Sequence, residues 1–174
     1  MTPSPSPPAP PSPWLARWIG LLPPEGTALD VACGSGRHLR LLRDRGHRAT
    51  GIDRDVSGLA ALDGVEIVEA DLETGPWPLP GRRFAAVLVS NYLHRPLFPD
   101  LRAALEPGGL LVYETFAAGN EKYGRPSNPD FLLRAGELLD MARGALRVLA
   151  WEAVETTVPR RAVVQRLAAL KPKD

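Results

Sequence analysis

A single cysteine, Cys33, leaves this chain no internal disulfide, and no Cys or His group stands at metal-ligand spacing, so neither a disulfide framework nor a metal centre is expected. A reducing compartment, and with it a cytoplasmic location, is the expectation. Long apolar runs are also missing. Nowhere do roughly eighteen apolar residues follow one another, which excludes a helical membrane span. The first residues lack the basic start and apolar stretch of a secretory signal. Charge of one sign is absent too: Lys plus Arg number 21 against 20 for Asp plus Glu, so the balance advertises neither a nucleic acid nor an anionic membrane as partner.

Proline is plentiful and concentrated at the start, where Met1 to Pro13 alternates Pro with Ser and Ala. That composition favours polyproline II or disorder and offers nothing to a core. No basic residue flanks a P-x-x-P there, which favours a spacer over a ligand for aromatic-lined grooves. The expected division is a disordered tail over 1–13 and one domain over 14–174, because 174 residues can bury one good core but not two. Trp14, Leu15, Trp18, Ile19 and Leu22 fall at helical spacing and predict a short opening helix.

From Thr27 short apolar runs alternate with longer mixed segments, the pattern of βα units on a parallel sheet. Strands are predicted at Thr27–Val31, Arg48–Ile52, Val65–Glu69, Phe84–Val89 and Leu110–Thr115, with helices at Arg37–Arg45, Val56–Leu62, Leu97–Leu105 and Arg134–Ala142. Glu106-Pro107-Gly108-Gly109 reads as a stop between helix and strand. The runs Leu146–Thr156 and Arg161–Leu170 look like an antiparallel pair closing the sheet edge.

The chemistry starts at Asp30-Val31-Ala32-Cys33-Gly34-Ser35-Gly36-Arg37-His38, a strand end joined to a helix start through two glycines. Gly34 and Gly36 let the backbone take positive φ and approach a ligand closely. The helix N–H groups beyond can hold an anionic or polar ligand group. Asp53 ends the next strand, where a carboxylate can accept both hydroxyls of a ribose, and Asp71 with Leu72 ends the third, within reach of an adenine amino group. Alone, Asp30 and Asp53 read as helix caps. Together and in order, at βα spacing on one sheet edge, they read as a nucleotide-type site. Cys33 has no base at motif distance and is read as a small residue in a tight turn.

The segments A-L-D-V-A-C-G-S-G-R-H, G-I-D-R, E-A-D-L-E and F-A-A-V-L-V-S-N-Y-L-H resemble the ordered motifs of class I S-adenosylmethionine-dependent methyltransferases, over about Thr27 to Phe116. Asp30, Gly34 and Gly36 match the first motif, while Ala32 replaces its first glycine. A looser likeness is to small bacterial methyltransferases related to the tellurite-resistance group. The resemblance implies a Rossmann-like α/β three-layer sandwich, its seven-stranded sheet mostly parallel with the last strand antiparallel, and S-adenosylmethionine as cofactor. It implies that Asp30, Ala32, Gly34 and Gly36 sit beside the methionine moiety, Asp53 binds the ribose hydroxyls, and Asp71 and Leu72 border the adenine, with Arg54 a further cofactor contact. Asn91 and Tyr92 then lie beside the transferred methyl.

Three other readings stand beside this one. A nicotinamide-dependent oxidoreductase also uses a glycine turn and a later acid, but Leu39 occupies its third glycine and Asp71 goes unexplained. A noncatalytic S-adenosylmethionine-binding module would show a degraded turn or acid, and neither is seen. A methyltransferase acting on RNA or protein is the third. For methyl transfer, His94 and Tyr92 are the candidate base or orienting groups. The stretch from Glu114 to Pro129 has no regular periodicity and is read as a lid, with Glu114, Asn120, Tyr123 and Arg125 as candidate substrate contacts. The absence of N-P-P-Y or D-P-P-Y after strand four argues against base and glutamine amines, and the compact chain argues for a small-molecule acceptor.

Overall fold

The computed structural model describes residues 9–173, so most of the predicted tail, residues 1–8, lies outside them. The opening helix, α1 (Pro13–Ile19), starts earlier than its apolar spacing suggests. Ser12 caps it, its hydroxyl accepting the Leu15 N–H, and Pro13 follows in the first turn, where its fixed φ suits a helix start. Ser12 and Pro13, read from sequence as tail, thus belong to the folded unit, and Ser12 is buried. The reason is capping chemistry that the proline-rich context conceals.

Strands β1 (Thr27–Val31), β2 (Arg48–Asp53), β3 (Glu66–Glu69), β4 (Phe84–Ser90), β5 (Leu105–Phe116), β6 (Arg147–Thr156) and β7 (Ala162–Leu170) form one seven-stranded sheet in the order β3-β2-β1-β4-β5-β7-β6. The first five are parallel, and β7 runs antiparallel between β5 and β6. Alternation along the central strands fills two cores. Leu29, Val31, Val87, Val89, Leu111 and Tyr113 face α3 (Phe98–Ala103) and α4 (Glu137–Ala142). Ala28, Ala86, Leu88, Leu110 and Val112 face α1 and α2 (Arg37–Asp44). This is the three-layer Rossmann-like architecture expected from the sequence.

Several elements differ from their sequence patterns; the helix predicted from Arg134, for one, starts at Glu137. The predicted helix over 56–62 is only a 3₁₀ turn at Ser57–Leu59. Its start is diverted by Asp55, whose carboxylate accepts both the backbone N–H and the hydroxyl of Ser57, a local alternative to helical bonding. The predicted stop at Glu106–Gly109 lies inside β5, as an excursion between the Phe84–Leu105 and Ala86–Leu110 pairs. It stays in the sheet because Gly108 N–H donates to the Lys171 carbonyl and Lys171 N–H donates to the Gly109 carbonyl. The helix predicted over 97–105 accordingly ends at Ala103.

A Cβ on Gly109 would lie 2.8 Å from the Glu106 carbonyl oxygen and 3.1 Å from that of Phe84, backbone atoms that cannot turn aside. Gly109→Ala is expected to destabilise the protein by about 1–3 kcal/mol, measured by urea unfolding.

Candidate functional site

The strand order reverses beside β1: the chain moves outward to β2 and β3, then returns to place β4 on the other flank of β1. Crevices outside the carboxyl ends of strands at such a reversal are where open α/β sheets take ligands. Here β1 leaves the sheet through a turn in which Ala32, Gly34 and Gly36 all have positive φ, at 54°, 53° and 75°. For Gly34 and Gly36 this is unstrained. Ala32, which stands where the resembled motif has its first glycine, holds a conformation that costs an L-residue about 1–2 kcal/mol. Gly36 is also required sterically, since a Cβ there would meet Leu59 Cδ2 at 2.7 Å.

The turn ties the first two motifs together. Gly34 N–H donates to Asp53 Oδ2 at 2.7 Å, and Asp55 N–H donates to Asp53 Oδ1 at 3.1 Å. Each oxygen of the half-exposed Asp53 keeps lone-pair capacity for a further donor. Asp71 is exposed at the end of β3. Its carboxylate accepts the Glu73 N–H at 2.9 Å, and this bond, with help from Thr74, holds it below the usual carboxylate range. Ala32, Asp53, Arg54, Asp71, Leu72 and Tyr92 line one cleft of about 210 Å³. A second, of about 370 Å³, is lined by Asp30, Ala32, Gly34, Arg37, Ser90 and Asn91, among others. Ala32 borders both. Every cofactor position read from sequence lines one of the two except Gly36, which supports the turn from beneath.

Asp30 is only 1% exposed, and its Oδ2 has no hydrogen-bond partner among the described residues. Burial pushes its carboxyl up to about 8, with Arg37 opposing the shift and Asp53 adding to it. His38 lies beside it, Nδ1 at 3.9 Å from Oδ2, and is held neutral by burial and by Arg37, which bring it down to about 3. Cys33 is buried, and its thiol is pushed up to about 12 by burial and the nearby acids, so it is no nucleophile.

Asn91, at φ 55° past the end of β4, borders the second cleft and three further ones. The fit of Asn to this left-handed position is chemical, since Asn tolerates positive φ better than other side chains. Tyr92 lines both the first cleft and a neighbouring one that also includes Phe116, Pro126 and Phe131. His94 sits at the start of a 3₁₀ turn (Arg95–Leu97) and lines none of these clefts.

The predicted lid separates into unlike parts. Glu114 belongs to β5, buried, paired with Arg166 and accepting the Ser12 hydroxyl at 2.6 Å; it does border two of the clefts at Asn91. Asn120 is buried and occupied, donating to the Pro126 carbonyl and accepting the Val163 N–H. Tyr123 donates to Glu155 at 2.6 Å, and the Arg125 carbonyl accepts from Arg160; neither residue lines a cleft named above. Asn120 and Tyr123 are therefore fastenings of the loop to β6 and β7, a role that aperiodic sequence cannot distinguish from substrate contact. Sequence reading passed over Ser12, Arg37, His38 and Ser90, although Arg37 and His38 directly follow the glycine turn.

Residues 28–109 match the family model described as a methyltransferase domain. Trans-aconitate 2-methyltransferase of Sinorhizobium medicae is 36% identical over 99 residues, covering 52% of this chain and 38% of that relative's length. TehB from Haemophilus influenzae superposes with a TM-score of 0.72 at 14% identity, over 90% of this chain and 61% of that one. An S-adenosylmethionine-dependent methyltransferase from Mesorhizobium loti gives 0.70 at 19% identity, over 90% and 96%. The chain thus shares its fold with these solved structures, and the segment 28–109, which carries the glycine turn, Asp53 and Asp71, resembles a methyltransferase domain. No helix among the described residues is long and apolar enough to cross a membrane.

Because its folded carboxyl lies above the unfolded value of 3.8, Asp30 favours folding at low pH, and that contribution is lost as pH rises through about 8. Asp30→Asn in the ligand-free protein is expected to flatten the pH dependence of stability between pH 4 and 8 and to gain stability relative to wild type at pH 9, measured by urea unfolding across that range.

Proposed function

We propose that this chain binds S-adenosylmethionine across the two clefts joined at Ala32 and transfers its methyl group to a small-molecule acceptor held beside Asn91. The observation that carries this reading is the buried Asp30 oxygen without a partner, lining the cleft next to the glycine turn. A buried carboxylate in that state calls for a cationic donor. The α-ammonium of a methionine moiety is such a group. At the other end Asp53 retains acceptor capacity for ribose hydroxyls, while Asp71, Leu72 and Arg54 border the space for a base. These residues fit the cofactor.

S-adenosylmethionine supplies a methyl group already activated on a sulfonium, so the chain has to align an acceptor and exclude water. Tyr92 serves as a donor in that task and not as a base. Burial, with Glu73 nearby, pushes its phenol up to about 12, so it keeps its proton at neutral pH. His94, outside the clefts, is given no proton transfer, and the attacking lone pair comes from the acceptor in its own protonation state. The clefts meeting at Asn91 are compartments of about 100 to 270 Å³, each below the roughly 300 Å³ at which drug-sized pockets begin, which favours a compact acceptor. The relative that methylates trans-aconitate supports the same class of acceptor.

Thermal unfolding tests the reading. S-adenosylmethionine and S-adenosylhomocysteine, each at a hundredfold excess over Kd, are expected to stabilise the protein by about 2.7 kcal/mol, and Asp53→Ala to remove most of that gain. NADH and NADPH are expected to have no effect. Stabilisation by a nicotinamide cofactor alone overturns the proposal in favour of an oxidoreductase.

A further inference from the structure

The end of the proline-rich segment runs along the cleft that holds Asp30 and Arg37. Ala9 lines that cleft with Asp30, Arg37 and His38. Beyond it, Ser12 makes three bonds in three directions. Its backbone N–H donates to His38 Nε2 at 3.1 Å, its hydroxyl donates to Glu114 Oε1 at 2.6 Å, and the same oxygen accepts the Leu15 N–H. Glu114 is fixed in turn by Arg166, which also donates to Glu152. The segment is thus pinned to a buried ion network on one side and to the glycine-turn helix on the other.

Two contacts of the segment bear on polar groups of the cleft. Since Nε2 of His38 accepts from Ser12, the proton of this neutral imidazole resides on Nδ1, the nitrogen that faces Asp30. Arg37 donates to the Pro10 carbonyl at 3.3 Å and to Ser90 Oγ at 2.8 Å. Both acceptors are neutral, and Arg37 has no carboxylate partner among the described residues. A half-buried guanidinium held open in this way, in the same cleft as an acid with an unsatisfied oxygen, presents opposite charges to one ligand.

We propose that residues 10–12 are a brace for recognition of an amino-acid zwitterion: Pro10 holds Arg37 toward the carboxylate of the cofactor's methionine end, and Ser12, anchoring the segment and fixing His38 beside Asp30, is the positioning residue on the ammonium side. This rests on the cofactor reading above. It makes the amino-acid half of the ligand, and not the nucleoside half, the part that depends on the proline-rich segment.

Two ligands separate the halves: S-adenosylhomocysteine carries the zwitterion, and 5′-methylthioadenosine lacks it. Calorimetric titration of the full chain is expected to show S-adenosylhomocysteine binding at least tenfold tighter. Arg37→Met should weaken S-adenosylhomocysteine about tenfold, the worth of one hydrogen bond to a charged group, and leave 5′-methylthioadenosine within twofold. Ser12→Ala should weaken S-adenosylhomocysteine several-fold with no change for the nucleoside, and Ser12→Thr should restore it. A merely structural Ser12 would alter both ligands or neither, and that result overturns the inference. If 5′-methylthioadenosine binds and S-adenosylhomocysteine is no tighter, the cofactor reading stands and the brace falls. If neither binds wild type, both fall. Should Ser12→Ala not fold, the nitrogen chemical shifts of His38 in wild type decide independently: a proton on Nδ1 is expected, and a proton on Nε2 contradicts the brace.

Discussion

The end of β1 must leave the sheet through a left-handed turn, and the rest of the site depends on that constraint. Positive φ at Ala32, Gly34 and Gly36 folds the backbone back over the strand end. The turn presents Gly34 N–H to Asp53, starts α2 and leaves Asp30 enclosed beneath. A hydrogen bond only 2.7 Å long thus links the first two strands at the ligand edge. Gly36 provides the packing side of the same constraint, because a Cβ there would press on the buried Leu59 side chain. Keeping Ala at position 32 stores local strain at the point where the two clefts meet.

The fold tolerates a second cost at this point. Desolvating a carboxyl without giving it a full set of donors favours its neutral form, which is why Asp30 is pushed up to about 8. The surroundings do not relieve it. His38 is held neutral and turned by Ser12, and Arg37 bonds to a hydroxyl and a carbonyl instead of closing on the acid. The polarity of the cleft therefore remains unspent in the protein alone, as expected of a site organised for a charged ligand.

Much of this was readable from residue order. The five parallel strands, the antiparallel pair at the sheet edge and the placing of Asp30, Asp53 and Asp71 at one edge follow from apolar runs ending in acids, because strand period and βα spacing are local properties. Failures came where a longer-range partner decides. Pro107-Gly108-Gly109 continues β5 because its backbone pairs with Lys171, more than sixty residues away. Ser12 belongs to the domain because His38 and Glu114 receive it. Asn120 and Tyr123, polar and in an irregular stretch, resembled ligand contacts until their partners on β6 and β7 were placed.

The central claim is that the buried Asp30 waits for a cationic group of the cofactor. Proton release on ligand binding tests it directly, by titrating S-adenosylhomocysteine at pH 7 in two buffers of different ionisation enthalpy. With its carboxyl at about 8 in the free protein, Asp30 is mostly protonated at that pH and must ionise to meet an ammonium. The account predicts release of close to one proton per ligand bound, abolished in Asp30→Asn. Binding without proton release, or release that persists in Asp30→Asn, would contradict it.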